Sequence, residues 1–342
     1  MKRSLFMLGV AVAALSSCSN NEVLDIAESN AIKFSNTFVG KPTRSVTAPE
    51  LTTDNLKEMY VFASKGGDPV FDANPKLVYR IGETNEWGYD NLVAWEVSKN
   101  YNFVAYAGKD LGTSVTDNGD NTSLKFSNIV VNGDKENQFD LLYSDTKSIT
   151  TTAVEGNPMI DFTFKHLLSM VQFTLKSGFG ETTEVKITNF KFYGVKTTGS
   201  YDASQEWTLT ATANTEDNTN FTSADEEIAQ YDAVATQDVV NSWVIIPQQN
   251  TDLDKVEMVK FTVNVSDGET QIGTKDFTAK IPSITWEKGY RYNYIFTITP
   301  KQMGVADQYI TFDAPKVTEW DDDTNLTIDE DNSSTSGVEL TE

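Results

Sequence analysis

From about residue 57 onward the sequence alternates with a period of two, and that alternation limits what the chain can become. Met59 to Ala63, Leu77 to Ile81, Tyr101 to Ala107, Leu124 to Val131 and Phe139 to Ser144 are rich in β-branched and aromatic residues. Turn signals separate them: Lys65-Gly66-Gly67-Asp68, Asp117-Asn118-Gly119-Asp120 and Asn132-Gly133-Asp134. Short strands at this spacing predict an all-β sandwich or barrel and argue against alternating strands and helices. The polar stretch from Ser148 to Pro158 reads as a domain boundary. A second series of strands follows: Ile160 to Leu175, Val185 to Val195, Trp207 to Ala213, Ser242 to Pro247, Val256 to Val265, Gln271 to Ile281 and Tyr290 to Thr299. Between them, Asn214 to Asp238 is polar and has room for a short helix. With 342 residues and 39% hydrophobic content there is chain enough for two cores. The expected division is residues 45–150 and 151–300, with 301–342 as a C-terminal extension.

The amino terminus has a different character. Lys2 and Arg3 precede an uncharged run from Leu5 to Leu15, the pattern of an export signal over residues 1–17. A bilayer core roughly 30 Å thick needs about 20 apolar residues of helix, which this run does not supply. It ends in Leu15-Ser16-Ser17-Cys18, which looks like a lipobox with Cys18 as the lipidation site. The alternative is an ordinary signal peptide cut near a chance cysteine. Cys18 is the only cysteine, so no intramolecular disulfide can form. Loss of Lys2 and Arg3 with the signal takes the formal charge from −23 to −25, which disfavours binding to nucleic acid or to an anionic surface by charge.

Two isolated segments near the ends share a pattern. Ile32-Lys33-Phe34-Ser35 and Ile310-Thr311-Phe312-Asp313 each place Ile and Phe two apart, on one face of a strand. Equivalent strands can compete for one groove, each supplying main-chain hydrogen bonds to a sheet edge and an apolar pair to the core; coincidence is the competing reading, because any β protein contains several Ile-x-Phe triplets. Between the first segment and the strands lies Thr43-Arg44-Ser45, in a loop with no apolar anchor. The other arginines are Arg3, Arg80 and Arg291, one in the signal and two beside strand-like runs. Arg44 is therefore the expected exposed site for an arginine-specific protease, cutting before Ser45 and freeing Ile32 and Phe34; a solvated loop arginine is the plainer reading.

The run from Phe162 to Leu175, with its lone His166, and Pro282 to Tyr294, containing Trp286-Glu287-Lys288-Gly289-Tyr290-Arg291-Tyr292, resemble fimbrillin-like proteins. These are the type V pilus subunits of Bacteroides-type bacteria. The resemblance implies two tandem transthyretin-like β-sandwich domains, export to the outer membrane and cell surface through a lipid on Cys18, and assembly by donor-strand exchange. It further implies a cut after Arg44 in a propeptide of residues 18–44, release of Ala31 to Phe38, and a donor strand in Tyr309 to Trp320, including Ile310, Phe312, Ala314 and Val317. The implied partners are other pilus subunits, in a homo- or hetero-polymer, and an arginine-specific protease. No nucleic acid, cofactor or metal is implied.

Enzyme chemistry has little to stand on. The single histidine, His166, sits inside an apolar run, which suits a satisfied structural group better than a base. No phosphate loop or zinc spacing occurs, and the acidic residues after Trp320 lack the Gly and distal Glu of an EF-hand loop. Trp87, Trp95, Trp207, Trp243, Trp286 and Trp320 offer material for a sugar-stacking platform, although large aromatics in a sandwich belong more often to the core. The function the resemblance implies is a pilus subunit or minor pilus component supporting adhesion, with no catalysis. The alternative is a permanently anchored outer-membrane lipoprotein that binds surface glycans.

Overall fold

The computed structural model describes residues 30–35, 37–39, 50–82, 84, 86–152, 158–180, 183–203, 206–223, 226–228, 239–249, 258–304, 309–312 and 314–320. Cys18, Arg44, Ser45 and the acidic tail after Trp320 lie outside the described residues. Within them the protein is built almost wholly of β-sheet, as the alternation predicts; the α-helical exception is one short turn, Pro300–Gly304.

The largest sheet runs in the order Phe38–Val39, Thr163–His166, Leu142–Ser144, Asn100–Ala107, Glu58–Lys65, Lys76–Arg80, Trp87–Gly88. Its central strands carry Val61-Phe62-Ala63 and Phe103-Val104-Ala105-Tyr106-Ala107, unbroken apolar runs rather than clean alternation. The reason is that both faces are covered. Met59, Val61, Ala63, Phe103 and Ala105 join one core with Phe162 and Phe164. Phe62, Val104 and Tyr106 face a second core with Phe173, Phe190, Trp243 and Tyr294. Fully burying a side chain such as these contributes about 1.5–3 kcal/mol.

Strand pairing carries this sheet beyond residue 150. Lys147–Thr150 pairs with Asn100–Ala107, and Thr163–His166 pairs with Leu142–Ser144. The apolar run expected from Ile160 to Leu175 is interrupted at Leu167-Leu168, after which Ser169–Ser177 enters another sheet. There it lies between Val239–Ile245, antiparallel, and Tyr290–Ile298, parallel, and every residue of it is buried. Facing it is a sheet built on Thr183–Phe192, Val259–Asp267 and Thr270–Lys280. A fourth sheet joins Leu124–Val130 to Thr198–Asp202, so chain from either side of residue 150 shares it. The Asn214 to Asp238 stretch holds no helix among its described residues. It supplies two short strands, Phe221–Thr222 and Glu226–Ile228, both paired with Thr183–Phe192. Phe221 is fully buried, and its place in the second core explains why a largely polar stretch folds back onto the sheet.

Candidate functional site: two terminal strands and a buried junction

The segment at residues 30–39 is hydrogen-bonded on one side through residues 30–32 and on the other through residues 33–35 and 38–39. On one side Ile32 N–H donates to Val93 O at 2.8 Å, Trp95 N–H donates to Asn30 O at 3.0 Å, and Ala31 bridges Ala94. On the other, Lys33–Phe34 runs parallel to Met159–Ile160, and Phe38–Val39 runs parallel to Thr163–Phe164. Ser35 and Phe38 donate to Ile160 O and Phe162 O, each at 2.8 Å. The alternation directs Ile32 and Phe34 inward and Lys33 outward. Phe34 stacks on Phe162 and meets Tyr89 edge-on, while the Tyr89 hydroxyl donates to Ile32 O. Val39 and Leu56 complete the same core. This segment is therefore an inserted strand whose slot is lined by residues 93–95 at its start and by residues 159–164 beyond.

The other end of the chain is attached less evenly. Tyr309–Thr311 runs parallel to Thr278–Lys280 at a sheet edge, and Lys316–Glu319 pairs antiparallel with Tyr290–Asn293. Phe312 is buried against Phe173, Tyr294 and Phe296. Trp320 is buried too, yet between them Ala314, Lys316, Val317 and Glu319 are exposed. The segment is held chiefly by two aromatic anchors with a solvated stretch between.

Trp320 docks at the motif that carries the resemblance. Gly289, at φ 75° in the left-handed region glycine favours, donates to Leu168 O at 2.8 Å and accepts from Trp320 N–H at 2.6 Å. The Trp320 ring lies flat on His166, with ring centres 4.5 Å apart and planes inclined by 1°. His166 Nδ1 is 2.8 Å from Asp140 Oδ2, and that oxygen also accepts the Leu51 N–H at 3.0 Å. Nearby, Arg291 Nη2 donates to Glu50 Oε1 at 3.0 Å in a buried ion pair. His166 is thus buried as a structural group, oriented by a carboxylate and capped by an indole. Trp286 closes the same motif by donating to the Tyr294 hydroxyl at 3.1 Å, and burial pushes that phenol above the ordinary tyrosine range.

Of the expected site residues, the structure seats Ile32 and Phe34 in one core and Phe312 in the other, and leaves Ala314 and Val317 exposed. Ile310 lies on the edge strand, in register with Ala279. Trp87, Trp243, Trp286 and Trp320 are buried, and the half-buried Trp95 and Trp207 pack against the two cores, so the tryptophans form no exposed platform. Among the described residues no cluster of acidic, histidine or cysteine side chains could hold a metal ion, and no helix is long and apolar enough to cross a membrane. Sequence reading missed Val39, Thr53, Glu50, Asp140 and the Trp320 stack.

An all-β chain whose two ends each lay a strand into its own sheets is a self-complemented β-sheet protein. The fimbrillin-like family model matches residues 43–320, and the chain belongs to that family. Among solved structures it is similar to a candidate cell adhesion protein of Bacteroides ovatus ATCC 8483, at 16% identity over 85% of this chain and 97% of that one, with a TM-score of 0.49. A candidate cell adhesion protein of Bacteroides uniformis ATCC 8492 gives 14% identity over the same shares, with a TM-score of 0.48. A fimbrial protein of Bacteroides ovatus ATCC 8483 gives 15% identity over 82% of this chain and 50% of that one, with a TM-score of 0.37. A search of curated proteins gave no match.

Proposed function

We propose that this protein is a subunit or minor component of a cell-surface pilus, assembled by proteolysis-triggered strand exchange and supporting adhesion, with no catalysis of its own. In this reading Cys18 carries the lipid that brings the precursor to the outer membrane, and an arginine-specific protease cuts between Arg44 and Ser45. The strand containing Ile32 and Phe34 then leaves, and Ile310 to Val317 of another subunit takes the slot. Family membership and the inserted strand support the reading, and one observation carries it. Residues 32–39 and 310–317 share Ile-x-Phe-x-x-x-x-Val at identical spacing. Val39 is 2% exposed in the slot, whereas Val317 is 44% exposed where it now lies. A neighbour's slot would bury what its own sheet leaves in water.

The cut matters for an energetic reason. While covalently joined, strand 31–39 competes at the effective concentration of a short tether, about millimolar, which no neighbouring subunit matches. Severing the tether removes that advantage, and the incoming strand then restores both the backbone hydrogen bonds and the apolar burial. The test is the intact mass of the protein recovered from native cell surfaces. Chains beginning at Ser45, with ladders on unboiled gels, support the reading. A lipidated, monomeric species beginning at Cys18 overturns it.

A further inference from the structure

The departing strand and the C-terminal strand are joined by a continuous run of hydrogen bonds and ion pairs. Val39 N–H donates to Thr53 Oγ1 at 3.0 Å, and that hydroxyl donates back to Val39 O at 3.3 Å. Thr53 belongs to a tight turn in which Thr52 N–H donates to Asn55 Oδ1 at 2.7 Å and Asn55 Nδ2 donates to Glu50 O at 2.9 Å. Arg80 holds the far side of this turn through the carbonyls of Thr53 and Asp54, which ties its residues together. Leu51 and Leu56 pack in the same core as Ile32, Phe34 and Val39, so emptying the slot also uncovers the apolar side of the turn.

Two links leave this turn: one ends on the strand that the C-terminal segment pairs with, the other on Trp320 itself. Glu50 pairs with Arg291, which lies opposite Thr318 in the strand that receives Lys316–Glu319. Leu51 N–H donates to Asp140 Oδ2, the oxygen that orients His166, and His166 carries the Trp320 ring. Removing one partner of a buried ion pair leaves a charge uncompensated, so a shift of Glu50 is felt at Arg291 and at the strand it braces. Losing the Leu51 donor likewise leaves a buried carboxylate short of a hydrogen bond beneath the His166 and Trp320 stack.

We infer that the turn at residues 50–55 couples the two ends of the chain: a seated strand 31–39 holds the C-terminal strand down, and its departure loosens Lys316–Trp320. The geometry stands on its own, while the purpose rests on the strand-exchange reading. A subunit built this way withholds its donor strand until it has been processed, so unprocessed chains do not polymerise. The coupling is reciprocal, and a docked Trp320 favours a seated Val39.

The test is amide hydrogen exchange on the full-length precursor and two variants. Ile32→Asp unseats the strand directly. Glu50→Gln breaks one link while leaving residues 31–39 in place. The inference predicts that exchange at the Trp320 amide and across Lys316–Glu319 rises at least about fivefold in both, the low end of usual coupling factors. Amides of Val259–Asp267 serve as an internal control for the intact fold. In Glu50→Gln the Ile32, Ser35 and Phe38 amides stay protected, which separates loss of the link from loss of the strand. Parental exchange at residues 316–320 in Glu50→Gln, or in a folded Ile32→Asp whose 31–39 amides are open, overturns the coupling. Surface protein beginning at Ser45 would in that case leave the pilus reading intact. Raised exchange at residues 316–320 beside surface protein still beginning at Cys18 supports the coupling and removes its proposed purpose.

Discussion

Replacing Phe34 with Ala asks how tightly the inserted strand is held. Phe34 is 3% exposed, stacked on Phe162 with ring centres 6.0 Å apart and edge-on to Tyr89 at 5.9 Å. A buried Phe→Ala change costs about 3–5 kcal/mol, combining lost transfer energy with the cavity left behind. While the chain is continuous, this cost falls on stability. Once an arginine-specific protease has cut after Arg44, strand 31–39 stays only by its contacts, and the same cost becomes a change in affinity. At about 1.4 kcal/mol per tenfold, retention should weaken by roughly 150- to 4,000-fold. The assay cuts the purified precursor, dilutes it serially and measures by gel filtration and intact mass how much amino-terminal fragment remains bound. Lys33→Ala is the control: Lys33 is exposed, and surface changes stay within about 0.5 kcal/mol, or roughly twofold. Equal retention in Phe34→Ala and the parent would refute the claim that this side chain holds the strand.

Three further outcomes follow from the same geometry. Val317→Asp should leave monomer stability in urea within about 0.5 kcal/mol, since Val317 is exposed in its own sheet, yet abolish ladder formation after processing; persistent ladders would place the donor residues elsewhere. Trp320→Ala should destabilise by about 3–5 kcal/mol, whereas Trp320→Phe should cost much less, because the buried indole Nε1–H makes no hydrogen bond among the described residues that phenylalanine would lose; equal losses in denaturant titration would contradict this. Burial raises the Tyr106 and Tyr294 phenols above their ordinary value of 10.0. Their contribution to stability is therefore complete below the unfolded value and is lost as pH climbs from there through the raised folded values, so ultraviolet titration should show both phenols protonated until the alkaline unfolding transition.

The period-two alternation made the all-β class legible, because each face of a strand declares itself locally. What it could not give was the covering of both faces of the central sheet, which depends on chain more than a hundred residues away. The polar stretch after Asn214 misled for the same reason: Phe221 is one apolar residue among polar neighbours, and only the sheet it meets reveals its role. The paired Ile-x-Phe segments were readable, and the resemblance named Val317, but its counterpart Val39 was missed. Burial follows alternation through Ile32 and Phe34, then shifts phase before Thr37 and Val39, so strict period-two reading loses the thread there. Pro315 occupies the corresponding position in the other segment. The burial of His166 was legible from its apolar neighbours, whereas Asp140 and Trp320 reach it through the fold. Glu50 and Arg291, 241 residues apart, give no local signal at all.

The central claim is that residues 310–317 of one subunit occupy the slot of residues 32–39 in another, in one defined register. Lys33 lies opposite Met159, so the shared spacing places Thr311 of the incoming chain opposite Met159. Within its own chain Thr311 pairs with Lys280, well away from that position in the pairing. Cys18 is the only native cysteine and leaves with residues 18–44 on processing, so a processed chain carrying Met159→Cys and Thr311→Cys reports the register without interference. Oxidised after processing, it should give a ladder of disulfide-linked multimers on denaturing gels that collapses on reduction and is absent from either single-cysteine chain. Fibres that form without this cross-link would contradict the account.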